Sequence, residues 1–395
     1  MNLRTLKDAD VDEKRVLLRL DLNVPIDDEG NITDDTRLQK SLPTIKYLTD
    51  RGAKVIILSH LGRPDGKVVE DLRLDVVGEA LSELLGQKVK KIHECVGPEV
   101  EKLVSELLPG EICLLENTRF YHGEETNDEG FSRDLAKLGE VFVSDAFGTV
   151  HREHASTAGI ANFLPSFAGL LLEREVRVLS GLLSNPEKPL TVIMGGAKIG
   201  SKIGLLKNFL ELSDNILIGG ALANTFLAAE GYEVGDSLYE KEQLDVARNF
   251  LLEAEKHKET VRLPVDVLVA DEIKEDVVTL DVLVDGVSPG MRILDIGRLT
   301  KDRFIEVINE SKTIIWNGPM GLHEMEAFAG GTKEILKAVA ECDATTIIGG
   351  GDTLDAITRF GFDFDQFGHV STGGGAMLEF LQGKSLPGLV ALEAK

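Results

Sequence analysis

Residues 191–202 read TVIMGGAKIGSK, an apolar run (Val192, Ile193, Met194), a pair of glycines and two lysines. The apolar run predicts a buried strand, and the lysines stand at the mouth of a helix. Glycines after a strand let backbone approach a ligand closely, and a helix N-terminus offers unpaired N–H groups to an anion. Lys198 and Lys202 are four apart, so they share a face if the helix has already begun. Two ammonium groups beside free N–H groups suit a polyphosphate better than a carboxylate. The stretch is not a Walker A loop, because Ser201 precedes Lys202 instead of following it. Taken alone it is better read as a strand-to-helix turn with surface lysines, so its meaning depends on the other strand ends.

Strand-like runs and helical runs alternate on both sides of this stretch. Before it, strands are predicted at Val16–Leu22, Val55–Ser59, Val89–Ile92, Ile112–Glu116 and Val141–Ser144. Helices between them are predicted at Arg37–Asp50, Leu72–Leu85, Pro98–Leu108 and Glu129–Leu138. After a long helical run, Phe167–Leu183, the alternation resumes with Leu190–Met194, Ile216–Ile218, Val265–Val269, Ile293–Asp295, Thr313–Trp316 and Thr345–Ile348. The helices here are Ile203–Leu212, Glu242–Lys258, Lys301–Ser311, Thr332–Glu341 and Leu354–Phe360, and residues 276–285 alternate like a hairpin or edge pair. Such alternation predicts the α/β class, with parallel sheets covered on both faces. The reading is two Rossmann-like domains, each a parallel sheet flanked by helices, joined by a hinge helix. The N-terminal domain spans 1–166, the joining helix 167–184 and the C-terminal domain 185–378.

Composition narrows the function classes. The 395 residues are 43% hydrophobic, enough for two cores. A net charge of −24 argues against nucleic acid and anionic membrane surfaces as partners. Three cysteines without a CxxC pair argue against a disulfide framework and fit a reducing cytoplasm. The opening residues lack the apolar run of a signal peptide, and no segment approaches the ~18 apolar residues of a membrane span.

Ligands of open α/β sheets bind at the carboxyl ends of the strands, so the residues that follow each strand carry the chemistry. The first half sends Asp21, Asn23, His60, Arg63, Arg119 and Arg152 there, with Arg37 at the head of the first helix. Guanidinium forks suit phosphate and carboxylate, and four of them at strand ends stand out in a strongly acidic chain. His151 and His154 have helical metal-ligand spacing but no third ligand, so hydrogen-bonded rim histidines are the preferred reading. The acidic run 124–129 reads as a solvated loop. The second half sends glycines: Gly195-Gly196 with the two lysines, Gly219-Gly220, Asn317-Gly318-Pro319 with Glu324, Gly350-Gly351-Asp352-Thr353, and Gly373–Gly375. Repeated glycine turns suggest a nucleotide laid across the sheet, and the Asp352 carboxylate can hold magnesium carried by phosphates. A small anion on one half and a nucleotide on the other suit phosphoryl transfer, which needs no covalent nucleophile. A dinucleotide-dependent oxidoreductase is disfavoured because no G-x-G-x-x-G follows a strand. A non-catalytic binding protein keeping both sites is the other alternative, disfavoured because every charged residue that the chemistry asks for is present.

The segments RLDLNVP, DDTR, SHLGRP, ENTRF, DAFGTVHREHAST, MGGAKIGSK, WNGPMG, GGGDT and STGGGA occur here in the order and spacing of the phosphoglycerate kinases, which the chain resembles from about residue 3 to residue 392. The resemblance implies reversible transfer of a phosphoryl group between ATP and 3-phosphoglycerate, giving ADP and 1,3-bisphosphoglycerate, with Mg²⁺. It implies that Asp21, Asn23, Arg37, His60, Arg63, Arg119 and Arg152 hold the phosphoglycerate, with Arg37 also near the transferred group. Lys198 and Lys202 would neutralise the transferring phosphoryl and the nucleotide phosphates. Gly350, Gly351, Asp352 and Thr353 would bind the nucleotide, Asp352 toward magnesium and Glu324 toward the ribose. Gly220 and Pro319 would line the base. A cytoplasmic monomer is implied, with its tail, from about 379 to 395, packed on the N-terminal domain and with closure of the domains excluding water. The sequence departs from the family pattern at Ser201, at Met291-Arg292-Ile293, at Arg298 and at Leu322-His323. All of these surround the expected nucleotide and none touches the phosphoglycerate residues.

Overall fold

The computed structural model describes all residues except 1, 201, 258–260 and 395, and the backbone alone of His257. The departure at Ser201 and the predicted helix end at Lys258 lie outside the described residues. The chain forms two compact units, Met1–Ser180 with Gly383–Lys395, and Gly181–Gln382.

The first unit contains β1 (Arg15–Arg19), β2 (Lys54–Leu58), β3 (Val89–Lys91), β4 (Ile112–Leu114), β5 (Val141–Ser144) and β6 (Ser166–Ala168). They make one parallel sheet in the order β3-β4-β2-β1-β5-β6. Successive side chains of a strand point to opposite faces. Here both faces are buried. Val16, Leu18, Val55, Ile57, Val141 and Val143 fill the core on one side, and Leu17, Ile56, Leu58 and Phe142 fill the core on the other. Such two-sided burial explains why these strands read as unbroken apolar runs. The exception is Arg19, which shares a face with Leu17 and is 1% exposed.

The second unit begins with β7 (Leu190–Met194), β8 (Asn215–Ile218), β9 (Val261–Arg262), β10 (Asp266–Ala270), β11 (Leu280–Leu283) and β12 (Arg292–Ile296). It continues with β13 (Thr313–Asn317), β14 (Thr345–Gly349) and β15 (His369–Val370). Six of these form a parallel sheet in the order β15-β14-β13-β7-β8-β9. The other three form a separate antiparallel sheet, β11-β10-β12.

The small sheet corrects the sequence reading, which placed Val265–Val269 and Ile293–Asp295 in the parallel alternation. A parallel crossover needs a dozen or more residues, usually a helix. Between β10 and β12 the only helical turn is Val284–Gly286, so the chain pairs antiparallel instead. The sheet packs Val267, Val269 and Ile293 against Leu227, while Leu280 and Leu283 of β11 stay exposed. The long helix also starts later than its apolar pattern predicts. Phe167 and Ala168 belong to β6, and the helix runs Leu170–Ser184. The division between the two units falls inside that helix.

Candidate functional site

Each parallel sheet has one place where the connections leaving two neighbouring strands run apart, and there they leave a crevice. In the first unit this lies between β1 and β5, and in the second between β7 and β13.

At the first crevice, Asp21 Oδ2 lies 2.6 Å from Arg37 Nη1. Asn23 Oδ1 accepts the Gly62 backbone N–H at 2.8 Å, drawing the loop after β2 onto the loop after β1. Arg119 Nη1 donates to Gly62 O at 2.7 Å, and its Nε lies 3.1 Å from Glu125 without the alignment of a hydrogen bond. Arg152 Nε meets His151 Nε2 at 3.4 Å. Arg63 is exposed, and among the described residues no hydrogen bond or ion pair ties it to the others.

Arg19 holds this cluster together, although the sequence reading passed over it. Its guanidinium donates to Ser156 Oγ at 2.8 Å and to Leu20 O, and it lies 3.2 Å from His60 Nδ1. Ser156 in turn donates, through both N and Oγ, to Glu124, whose carboxylate is fully buried. Glu124 therefore corrects the expectation of a solvated loop at 124–129: it is the buried counter-charge of the cluster. An arginine cannot accept a hydrogen bond, so His60 Nδ1 must be the acceptor and its proton sits on Nε2. His60 is held neutral, well below the ordinary histidine range, by burial and then by Arg19, Arg119, Arg37 and Arg152. It thus presents an Nε2–H donor rather than another cation. His154 is likewise pushed down to about 3 by burial and by Arg119 and Arg152. Its 3.9 Å approach to Glu124 is therefore not an ion pair.

At the second crevice the backbone itself shapes the site. Gly195 N donates to Asn317 O at 3.0 Å, and Gly196 N to Pro319 O at 2.8 Å. Gly196, Gly220 and Gly318 all adopt positive φ. A Cβ on Gly220 would lie 2.7 Å from Gly196 N and 2.9 Å from Pro319 O, so only glycine fits this approach. Thr353 Oγ1 accepts the Gly318 N–H at 2.7 Å, tying the β13 turn to the helix Gly351–Arg359, with Gly350 at its N-cap.

Lys202 is 8% exposed and points its ammonium at the carbonyls of Gly195 and Asn317, the latter at 3.3 Å. Burial pushes it down to about 8, against the opposing pull of Asp352. The helix starts only at Ile203, after a turn in which Lys202 N donates to Ile199 O at 2.8 Å. Lys198 therefore lies exposed in the loop, and the two lysines do not share a helix face.

Beside this crevice lies a cavity of about 460 Å³ lined by Gly220, Pro319, Glu324 and Asp352 among others. Four expected nucleotide residues thus meet around one hollow, and four of the departures, Arg292, Ile293, Leu322 and His323, line it as well. Asp295 also lines it, buried, with its carboxyl raised to about 7 by burial. The cluster Asp75, His93 and Glu116 in the first unit has metal-ligand spacing. Glu116 is already committed to Arg73 and Lys91, at 3.0 and 3.1 Å, and two cations there oppose a third.

Residues 6–384 match the family model described as phosphoglycerate kinase. A phosphoglycerate kinase of Moorella thermoacetica is 50% identical over 391 residues, covering 99% of this chain and 99% of that protein. The solved phosphoglycerate kinase of Coxiella burnetii superposes with a TM-score of 0.88 at 43% identity, covering 99% of this chain and 98% of that one. That of Pyrococcus horikoshii OT3 gives a TM-score of 0.87 at 34% identity over the same shares.

Proposed function

The chain belongs to the phosphoglycerate kinase family and is a kinase whose acceptor is the carboxyl group of 3-phosphoglycerate, and from that premise we propose how its two units divide the reaction. The first unit holds the phosphoglycerate, and the second holds ATP or ADP. The observation that carries this division is the basic cluster at the first crevice. Arg19, Arg37, Arg119 and Arg152 all act on one buried histidine in a chain of net charge −24. Phosphoglycerate presents a phosphate and a carboxylate, and forked guanidinium donors suit both. Asp21, Asn23 and His60 add an acceptor and neutral donors for its hydroxyl and carboxyl oxygens, and exposed Arg63 completes the anion site.

In the second unit, Gly220 and Pro319 face the base, Glu324 the ribose, and Gly350, Gly351 and Thr353 the phosphates. Asp352 fits magnesium, because it is one exposed carboxylate at a helix start, and Mg²⁺ is usually held by one or two carboxylates plus substrate phosphates. Bound there, the ion would neutralise charge on the β- and γ-phosphates. The acceptor is the substrate's own carboxylate oxygen, which attacks the γ-phosphorus as the bond to the β–γ bridging oxygen breaks. No protein nucleophile is needed. Lys198 and Lys202 offset charge on the transferring group and the departing diphosphate, and Arg37 stands on the acceptor side.

Among the described residues no helix is long and apolar enough to cross a membrane, and Cys95, Cys113 and Cys342 are free thiols. Both facts agree with a cytoplasmic enzyme, for which we infer a monomer. The test is steady-state turnover with 3-phosphoglycerate, Mg²⁺ and ATP, pulled forward by a coupling dehydrogenase, with a control lacking phosphoglycerate. Arg63→Ala should raise KM for phosphoglycerate about tenfold or more, as loss of a charged hydrogen bond does, and leave KM for ATP within about twofold. A rise in KM for ATP alone would reverse the assignment of ligands to units.

A further inference from the structure

His323 precedes Glu324, at a position where the sequence departs from the pattern it resembles, and its surroundings give it a task. The ring is 2% exposed, yet it lies between two largely exposed carboxylates. Nε2 is hydrogen-bonded to Asp355 Oδ2 at 3.0 Å. Nδ1 lies 3.2 Å from Glu324 Oε2, a close polar contact without hydrogen-bond alignment. Asp355 belongs to the helix Gly351–Arg359, and so does Arg359, whose Nη2 donates to the Glu324 backbone carbonyl at 2.6 Å. Asp352, Asp355 and Arg359 follow helical spacing and so lie along one side of that helix. One helix thus carries a carboxylate that lines the cavity and two groups that grip the residues next to it. Glu324 and His323 line the same cavity.

We propose that His323 is a positioning residue for ribose recognition: protonated and anchored on Asp355, its ring lies between two carboxylates and draws that of Glu324 to one place at the cavity, so that one oxygen stays turned toward the nucleotide's ribose hydroxyls. This rests on the assignment of the cavity to a nucleotide. An exposed glutamate samples several rotamers, and each must be given up when a ligand binds. A buried ring braced from behind removes part of that cost beforehand. The benefit is confined to ligands that carry the hydroxyls, since only they use the oriented carboxylate.

That confinement supplies the test. Dissociation constants for ADP and for 2′,3′-dideoxyADP are measured by calorimetry on the full chain, for wild type, His323→Phe and Asp355→Ala, alongside KM and kcat. A hydrogen bond to a charged group is worth roughly tenfold or more in affinity, so wild type should prefer ADP by about that factor. Both variants should bind ADP about three- to tenfold more weakly and dideoxyADP within twofold of wild type. The preference would then fall toward one, and KM for ATP would move more than kcat. Equal weakening of both nucleotides would mean that the ring only fills space, and an undiminished preference would mean that it positions nothing. Either result overturns the proposal. Should His323→Phe fail to fold, Asp355→Ala decides alone, because it alters only a largely exposed carboxylate. A wild type that binds the two nucleotides equally would overturn the proposal and leave the kinase intact. A wild type without phosphoglycerate-dependent turnover would overturn the kinase reading instead.

Discussion

Replacing Lys202 by methionine should separate the cost of a buried charge from its use. The ammonium is nearly enclosed, and burial brings its pKa from 10.5 to about 8. In the unfolded chain the group keeps the higher value. Between pH 8 and 10.5 the unfolded state therefore binds more protons than the folded one, and folding stability rises with pH across that window. One pKa unit is worth about 1.4 kcal/mol. For values of 8 and 10.5, raising the pH from 7 to 10 should return about 2.5 kcal/mol. Other groups titrate over the same range, so the informative quantity is wild type minus Lys202→Met. Urea unfolding followed by circular dichroism at pH 7, 8, 9 and 10 should show that difference moving in favour of the wild type by about 2–3 kcal/mol. A difference flat with pH would mean that the ammonium is not desolvated and that this account of the second crevice is wrong. The same substitution should lower kcat by about a hundredfold or more, since a donor aimed at transferring charge is lost. Phosphates reaching the ammonium would also raise its pKa, so ADP binding at pH 8 should take up protons. Calorimetry in two buffers of different ionisation enthalpy reads that uptake directly.

Three further substitutions test other parts of the site. Lys198→Ala removes an exposed group, so kcat should fall by about a hundredfold while the urea midpoint barely moves; near-normal turnover would end its assigned role. Arg19→Met removes one of the positive charges that hold His60 neutral. The His60 titration followed by NMR should then move up toward the ordinary histidine range and KM for phosphoglycerate should rise; an unmoved titration would refute the bond that sets the tautomer. Gly220→Ala combines a left-handed backbone with contacts under 3 Å to Gly196 and Pro319, and should cost roughly 2–4 kcal/mol of stability as well as nucleotide affinity. A loss below about 1 kcal/mol would mean that the close approach of the two turns is not rigid.

The strands of the parallel sheets were legible because two-sided burial leaves unbroken apolar runs, and the rim residues were legible because they follow those runs. Arg19 was not, because it sits at the end of such a run and its only signal was one charge among Val16–Leu20. Glu124 was hidden by its neighbours. In a run of acids nothing local shows which one is buried, and its partner Ser156 is 32 residues away. The small antiparallel sheet escaped because apolar periodicity does not report strand direction. What separated β10 and β12 from the parallel strands was the lack of a crossover helix between them. The loop position of Lys198 followed from the turn at Ile199, which spacing alone does not reveal. His323 could be seen as unusual in the sequence, but its two carboxylate neighbours come from different distances along the chain.

Residues 383–394 return to the first unit after the whole of the second has been built. Leu386, Leu389 and Leu392 are fully buried there, Gly388 N donates to Val150 O at 2.9 Å, and Leu3 pairs with Glu393. A ribosome that has released residue 180 has thus made nearly all of the first unit but none of the segment that covers this part of its core. About 200 residues must still be added, which at roughly 5–20 residues per second takes about 10–40 s. Throughout that interval the nascent first unit exposes an apolar seat for three leucines, while the second unit, continuous in sequence, has everything it needs as soon as it emerges. The first unit is therefore the one that finishes last.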